Sequence, residues 1–392
     1  MLKKHIPLYL LLFIFQFGFG QYKQLSPDSE ISIITAGPGK VLYEGFGHST
    51  IRVKDADFDL AYNYGIFDQT GPSFYVNFTK GKMLYKVMKY PFHYFVRSYN
   101  KDKRWIKEQI LNLSQEEKQH FFEYLENNTK PENASYYYDP YFNNCATKLR
   151  QITDIVLGDK VDFHEDKQNS NESFRSLMNT EIPWNTWGSF GINLALGSKL
   201  DQITTDKQKM YLPDYVYTGF RNATVKRNNI NERLIKKEQI ILSFEEQKME
   251  IPFFSPFVVF FLVMSIGLFV TFKDVQKKKR TKWLDFLLLI STGISGILVI
   301  FLWFFTDHST TPNNFNFLWA FAPNIYIAFV LTKKGNSIWM KKYFQLLLLM
   351  LFVTPIIWML KIQELPFSII PFLVLLFVRY LVLIKVLLPF KK

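Results

Sequence analysis

The stretch Phe142-Asn143-Asn144-Cys145-Ala146-Thr147-Lys148-Leu149-Arg150 holds the single cysteine of a 392-residue chain. A lone thiol has no internal disulfide partner, so it is either reactive or a small buried side chain. Its setting suits reactivity. Cys145, Leu149, Ile152 and Val156 recur at helical spacing, Gly158 stands where a stop belongs, and Asn144 suits an N-cap. The thiol then falls in the first helical turn, where unpaired N–H groups and the helix dipole favour an anion. Such placement lowers a thiol pKa from about 8.5 into the range of roughly 3.5–7.5. The same stripe also accepts Cys145 as an inert core residue.

A thiolate nucleophile needs a base and a group that orients it. Gly47-His48-Ser49-Thr50-Ile51-Arg52-Val53 and Asp59-Leu60-Ala61-Tyr62-Asn63-Tyr64-Gly65 read as two strands around Lys54-Asp55-Ala56-Asp57. A two-residue hairpin loop at Asp55–Ala56 puts His48 opposite Asn63. His48 is then the base and Asn63 the polar side chain that fixes the tautomer. A strand-end histidine without a task is the alternative, and a one-residue slip undoes the pairing.

The elements around these residues form a mixed α+β domain. Ile31-Ser32-Ile33-Ile34-Thr35 is a β-branched run ended by Gly37-Pro38-Gly39, and residues 31–90 are strand-rich. Ser114 and Glu117 make a capping box for a helix over Ser114–Asn127, whose Phe121, Phe122 and Leu125 face a core. Trp184, Trp187 and the stretch 191–201 suggest a turn-rich subdomain, either structural or lining an acyl-binding groove. Residues 226–251 are polar and read as a connector.

Hydropathy and charge divide the chain. Residues 251–392 carry 15 Lys/Arg against 4 Asp/Glu, whereas residues 1–250 are close to balanced. The excess of basic residues is explained by membrane topology rather than by nucleic acid. Apolar stretches at 252–272, 284–305, 315–332, 343–360 and 366–390 are long enough, or nearly so, to cross a bilayer core of about 30 Å. Lys273, Lys277–Lys279, Arg280 and Lys282 lie between the first two stretches. Lys333, Lys334, Lys341 and Lys342 lie between the third and fourth, and Lys391 and Lys392 close the chain. The positive-inside rule then predicts about five spans, starting outside and ending in the cytoplasm. Residues 1–20 have the basic start, apolar run and small-residue end of a secretory signal, cleaved or kept as an anchor. Both cues put residues 21–225 outside the cytoplasmic membrane. Within the third stretch Pro323-Asn324 predicts a kink, with Asn324 facing protein or a cavity.

On the same outer side lies Thr306-Asp307-His308-Ser309-Thr310-Thr311-Pro312-Asn313-Asn314-Phe315-Asn316. Asp307, His308, Asn314 and Asn316, together with Asn144 beside the thiol, are candidate substrate-binding residues. Asp307 and His308 suit a lipid headgroup or an assisting role in proton transfer. A polar loop that caps the next helix is the alternative.

The order of parts, His48 first and Cys145 later at a helix start, resembles the circularly permuted papain-like group. That group contains NlpC-type peptidases and the lecithin:retinol acyltransferase relatives. More narrowly, Gly47-His48-Ser49, Tyr62-Asn63-Tyr64-Gly65, Asn144-Cys145-Ala146-Thr147 and the Asp307-His308 loop resemble the Lnb family of lipoprotein N-acyltransferases. The resemblance implies a periplasmic permuted papain-like domain followed by a membrane bundle in the bacterial inner membrane. It also implies acyl transfer from a phospholipid donor to the α-amino group of a diacylglyceryl-cysteine lipoprotein acceptor, with Cys145 as nucleophile and His48 as base. Two other readings stay open: a membrane-anchored cell-wall peptidase or amidase with the same dyad, and a non-catalytic membrane assembly protein. No zinc-type Cys/His cluster or phosphate-binding glycine loop stands out, so neither a metal nor a cofactor is expected.

Overall fold

The computed structural model describes residues 22–68, 71, 73–164, 171–333 and 338–387, so the expected signal segment at 1–20 lies outside the described residues. In chain order the first part contains β1 (Glu30–Ala36), β2 (His48–Lys54), β3 (Asp59–Ile66), α1 (Phe74–Thr79), β4 (Leu84–Pro91) and α2 (Phe92–Lys101). There follow β5 (Ile106–Leu111), α3 (Gln115–Asn128), β6 (Ser135–Tyr137), α4 (Cys145–Leu157) and β7 (Val161–Asp162). Next come α5 (Phe174–Glu181), α6 (Trp187–Ala195), α7 (Asp206–Lys209) and α8 (Pro213–Asn222). The strands β8 (Thr224–Arg227), β9 (Ile230–Arg233) and β10 (Ile235–Leu242) close this part.

Seven of these strands form one antiparallel sheet in the order β10–β5–β1–β2–β3–β4–β6. Strand periodicity of two divides its side chains cleanly. Ile31, Ile33, Ile51, Val53, Tyr62 and Tyr64 pack on one face against Phe121, Phe122 and Leu125 of α3 and Leu149 and Ile152 of α4. Ile34, Ala36, Ala61 and Ile106 turn to the other face, which Phe92 and Phe95 of α2 close. The capping box of α3 is formed, with Ser114 as N-cap and Glu117 returning to its backbone.

Residues 226–251, expected as a connector, fold for most of their length. β10 is the edge of the main sheet, paired with β5, and β8 and β9 make a hairpin on β7. An edge strand meets solvent along one side, so its Lys and Glu residues hid its pairing from a hydrophobicity reading.

Beyond Ser255 the chain is helical: α9 (Pro256–Lys277), α10 (Lys282–Phe304), α11 (Asn324–Lys333), α12 (Ile338–Met359) and α13 (Ile370–Val382). Among the described residues four helices, including the run Phe367–Lys385, are long and apolar enough to cross a membrane. Ile266, Phe269, Leu349 and Phe352 point outward from the bundle, as lipid-facing side chains do. The stretch 315–332 departs from the kinked span expected there. A 3-10 turn over Phe315–Leu318 is followed by a break, and only the ten residues of α11 are helical. Small residues on α10 admit the break. A Cβ on Gly296 would lie 2.3 Å from the Ala320 carbonyl oxygen, and one on Gly293 2.6 Å from the Ile325 nitrogen. Asn324 is fully buried and donates to Thr292 Oγ1 at 2.9 Å, which satisfies a polar group that lipid would not.

At the bundle end remote from the sheet domain, Arg379 is fully buried between Asp274 at 2.8 Å and Asp285 at 2.7 Å. Arg280 adds a second cation 3.6 Å from Asp285. At the near end the two parts are fused. Trp187 Nε1 donates to the Phe254 carbonyl at 2.9 Å, Phe190 packs on Phe260, and Leu194 joins the core of the bundle. The Gly197 N–H donates to the Thr310 carbonyl at 2.9 Å.

Candidate active site

Helix α4 begins where the sequence indicates. Asn144 is its N-cap and accepts from the Thr147 N–H at 2.8 Å, while Thr147 Oγ1 accepts from the Asn144 N–H at 2.8 Å. Cys145 is therefore the first helical residue, and Gly158 ends the helix at a φ of 57°. The helix packs on the sheet face that holds Tyr62 and Tyr64. His48 and Asn63 lie on the opposite face, with the His48 ring stacked on Phe95 of α2. The two sets meet around the end of the sheet.

The geometry of β2 and β3 makes that meeting possible. Their ladder runs from Lys54–Asp59 to Ile51–Tyr62 and stops before His48 and Asn63. A bulge interrupts the pairing of β3 with β4 between Asn63 and Ile66, and Gly65 takes a φ of 89°. The first turn of α4 fills the opening: a Cβ on Gly65 would sit 3.8 Å from Cys145 Cβ and 3.3 Å from the Tyr138 ring. Only glycine combines that backbone conformation with so close an approach.

The hairpin register differs from the expected one. The loop spans residues 55–58, closed by the Asp55 N–H donating to the Phe58 carbonyl at 2.8 Å, and the ladder is shifted by two residues. Phe58 leaves the strand to stack on Phe122 in the core, and Asp55 accepts from the Ser26 N–H. A shift of two preserves the face on which each side chain lies. His48 Nε2 and Asn63 Oδ1 are consequently 2.6 Å apart. Asn63 Nδ2 donates in turn to Tyr90 Oη at 2.8 Å, which fixes the amide orientation.

With Nε2 engaged by Asn63, Nδ1 is the imidazole nitrogen left to hydrogen-bond Cys145. Cys145 is 8% exposed, and burial alone pushes its thiol pKa up. The charge and hydrogen bond of His48, with the N–H groups of Ser49 and Ala146, outweigh burial and hold the thiol below its ordinary value. Burial pulls His48 down, yet the thiolate, its hydrogen bond and Asn63 outweigh this, so the imidazole pKa is raised. Opposite shifts of this kind favour the thiolate and the imidazolium over the neutral thiol and imidazole. Arg104 works against the imidazolium by its charge but is tied elsewhere, donating to the Gly37 carbonyl at 2.8 Å and lying over Tyr99.

The remaining candidates from the sequence do not join this pair. Asn144 donates to the carbonyls of Pro140 at 2.7 Å and Tyr211 at 2.8 Å, so its amide is spent on holding the loop. Asn314 and Asn316 are fully buried and donate to the carbonyls of Asn193, Leu194 and Ala195 at the end of α6. Expected as substrate contacts, all three are ties within the fold, because a buried amide satisfied by backbone has no capacity left for a ligand. Asp307 is exposed and 3.8 Å from Lys82. His308 is half-buried against Phe78 and Thr79, and burial lowers its pKa despite hydrogen bonds to their backbone. Ser309 Oγ donates to Asp139, whose other oxygen accepts from the Tyr141 and Phe142 N–H groups just before Cys145. The loop thus supports the approach to Cys145 without touching the pair.

Tyr90, Tyr138 and the Ser49 N–H escaped the sequence reading. Tyr90 pairs with Ala61, which shares a face with Asn63, so the register of β4 was the missing signal.

An α+β domain with Cys145 and His48 brought together at the sheet end, fused to a helical domain with membrane-length spans, defines a membrane protein with an extramembrane α+β head. Family comparison agrees: residues 20–188 match the Lnb N-terminal periplasmic domain, and residues 246–389 match the Lnb transmembrane domain. The chain belongs to the Lnb family. No curated protein and no solved structure gives a significant match.

Proposed function

We propose that this protein is a lipoprotein N-acyltransferase that carries an acyl chain on Cys145. The observation that carries this reading is the buried Cys145–His48–Asn63 arrangement, set on a domain fused to a membrane bundle. In the first half-reaction the Cys145 thiolate attacks an ester carbonyl of a phospholipid. The C–S bond forms, the C–O bond breaks, and the His48 imidazolium gives its proton to the departing lysolipid oxygen. The Thr147 N–H is engaged by Asn144 and the Ala146 N–H faces the sulfur, which leaves the Cys145 N–H to receive the oxyanion. In the second half-reaction the acceptor's α-amino group attacks the thioester. The C–N bond forms, the C–S bond breaks, and His48 takes the amine proton, restoring the ion pair.

Burial of the thioester protects it from water, so transfer outcompetes hydrolysis. The charge pattern of the bundle supports an orientation with the sheet domain in the periplasm and the C-terminus in the cytoplasm of a bacterial inner membrane. The reading is tested by expressing the Cys145→Ala variant in cells lacking other N-acylating activity. Mass spectrometry of lipoprotein N-termini is expected to show free α-amines. Unchanged N-acylation overturns the proposal, and release of peptides from purified peptidoglycan would favour a cell-wall hydrolase instead.

A further inference from the structure

Helix α1 presents its apolar residues outward. Tyr75 is 70% exposed, Val76 53% and Phe78 48%, and no residue of the helix is buried. Contiguous exposed aromatic and aliphatic groups mark a surface that is covered by something else. The position of α1 names the cover. The Asp307 N–H donates to the Lys80 carbonyl at 2.8 Å, and the Phe78 and His308 rings lie 6.3 Å apart. Gly81 sits so close to the Asp307–His308 backbone that a Cβ would lie 2.5 Å from the His308 nitrogen. Asp307 follows within a few residues of Phe304, the last residue of α10, and Phe304 and Phe305 are themselves 65% and 69% exposed. Helix α1 is therefore pinned where a membrane-spanning helix leaves the bilayer.

A continuous series of rings leads inward from α1. Phe74 stacks on Phe67 at 5.5 Å, Phe67 on Tyr85 at 4.7 Å, and Tyr85 on Tyr138 at 4.5 Å. Tyr138 and Cys145 then share the space left by the missing side chain of Gly65. We propose that α1 dips into the adjacent leaflet and that this ring series guides one phospholipid acyl chain to the Cys145 thiol. Flat apolar ring faces suit a methylene chain, which needs contact area and no hydrogen bonds. At the membrane end Tyr75 is exposed and can offer its hydroxyl to water or headgroups, as aromatic residues do at bilayer interfaces. The role of the rings as an acyl track rests on the acyl-transfer reading; the insertion of α1 does not.

The experiment uses the full-length protein in phosphatidylethanolamine–phosphatidylglycerol nanodiscs. A p-benzoylphenylalanine photocrosslinker replacing Tyr75 is expected to capture phospholipid, whereas one replacing Ile230, also exposed but on the small β7–β8–β9 sheet, is not. In a second arm, Tyr75→Asp with Val76→Asp is expected to slow acylation of Cys145 by nanodisc phospholipid about tenfold or more. Hydrolysis of water-soluble p-nitrophenyl acetate should stay unchanged, because neither residue approaches the thiol. Equal phospholipid capture at positions 75 and 230, or an unaltered acylation rate in the double variant, overturns the proposal. If wild-type Cys145 is never acylated, the acyl track falls together with the acyl-transfer reading, and the crosslink alone still decides whether α1 enters the leaflet.

Discussion

His48 Nε2 and Asn63 Oδ1 lie 2.6 Å apart at a point where their two strands are no longer paired. Had the ladder continued, β3 would occupy the space that the first turn of α4 fills. The bulge at Tyr64–Gly65 thus does two things: it brings the amide to the imidazole and admits the thiol beside them. The site is a defect in the sheet that the helix completes.

The ion pair predicts a particular pH dependence. The thiol pKa is lowered, so thiolate persists as pH falls below the usual thiol range; the imidazole pKa is raised, so imidazolium persists as pH rises above the usual histidine range. Alkylation of Cys145 by iodoacetamide is expected to remain fast at neutral pH. In His48→Ala the main stabilising charge is gone while burial remains, so labelling at neutral pH should slow and recover only in alkali. A pH profile of labelling that is identical in the two proteins would refute the pair.

Asn63 acts through the imidazole. Replacing it with Ala removes the hydrogen bond at Nε2 and leaves Tyr90 Oη without its donor. The turnover number is expected to fall about ten- to a hundredfold with KM little altered, because the base remains but loses its orientation. Steady-state kinetics of the purified protein check this, and Asn63→Gln should not restore the rate, since its longer side chain misplaces the acceptor.

Gly197 sets the fit between the sheet domain and the bundle. A Cβ there would meet the Pro312 carbonyl oxygen at 1.8 Å, so Gly197→Ala must push α6 away from the 306–316 loop. Transfer from membrane lipid is expected to drop severalfold, while hydrolysis of a water-soluble ester by Cys145 stays near the wild-type rate. Parallel assays with the two substrates separate misplacement from damage to the pair.

Arg379 is the stability anchor of the bundle. Its guanidinium satisfies Asp274 and Asp285, and Asp274 also accepts from the Thr281 N–H at 2.9 Å, fixing the turn between α9 and α10. Arg379→Leu leaves two buried carboxylates with Arg280 as their remaining cation, a loss of about 3–5 kcal/mol. Thermal unfolding in detergent should show a large fall in midpoint. Adding Asp274→Asn and Asp285→Asn should recover part of it, since the unpaired charges rather than the missing contact dominate the cost.

Much of this architecture was legible in the residues. The α4 N-cap, the Gly158 stop, the Ser114 capping box and the long apolar runs all depend on local spacing, which a sequence displays directly. The placement of His48 with Asn63 followed from strand parity, and so tolerated a loop that is two residues longer than expected. What stayed hidden depends on distant partners. β10 reads as polar because it is an edge strand, and the broken span at 315–333 depends on glycines of α10 that lie on another helix. Asn144, Asn314 and Asn316 look like ligands because unspent amides and buried ties are the same residue type; only the carbonyls they meet distinguish them.

The hydrogen bonds from Gly197, Asn314 and Asn316 leave the sheet domain no tether on which to swing away from the bundle. For the proposed acyl transfer between membrane-held molecules, encounter is two-dimensional: donor and acceptor arrive by lateral diffusion, and their mole fractions in the plane take the place of bulk concentrations. Diluting a vesicle suspension with buffer would leave the rate per enzyme unchanged. Diluting the acceptor with inert lipid inside each vesicle would slow it.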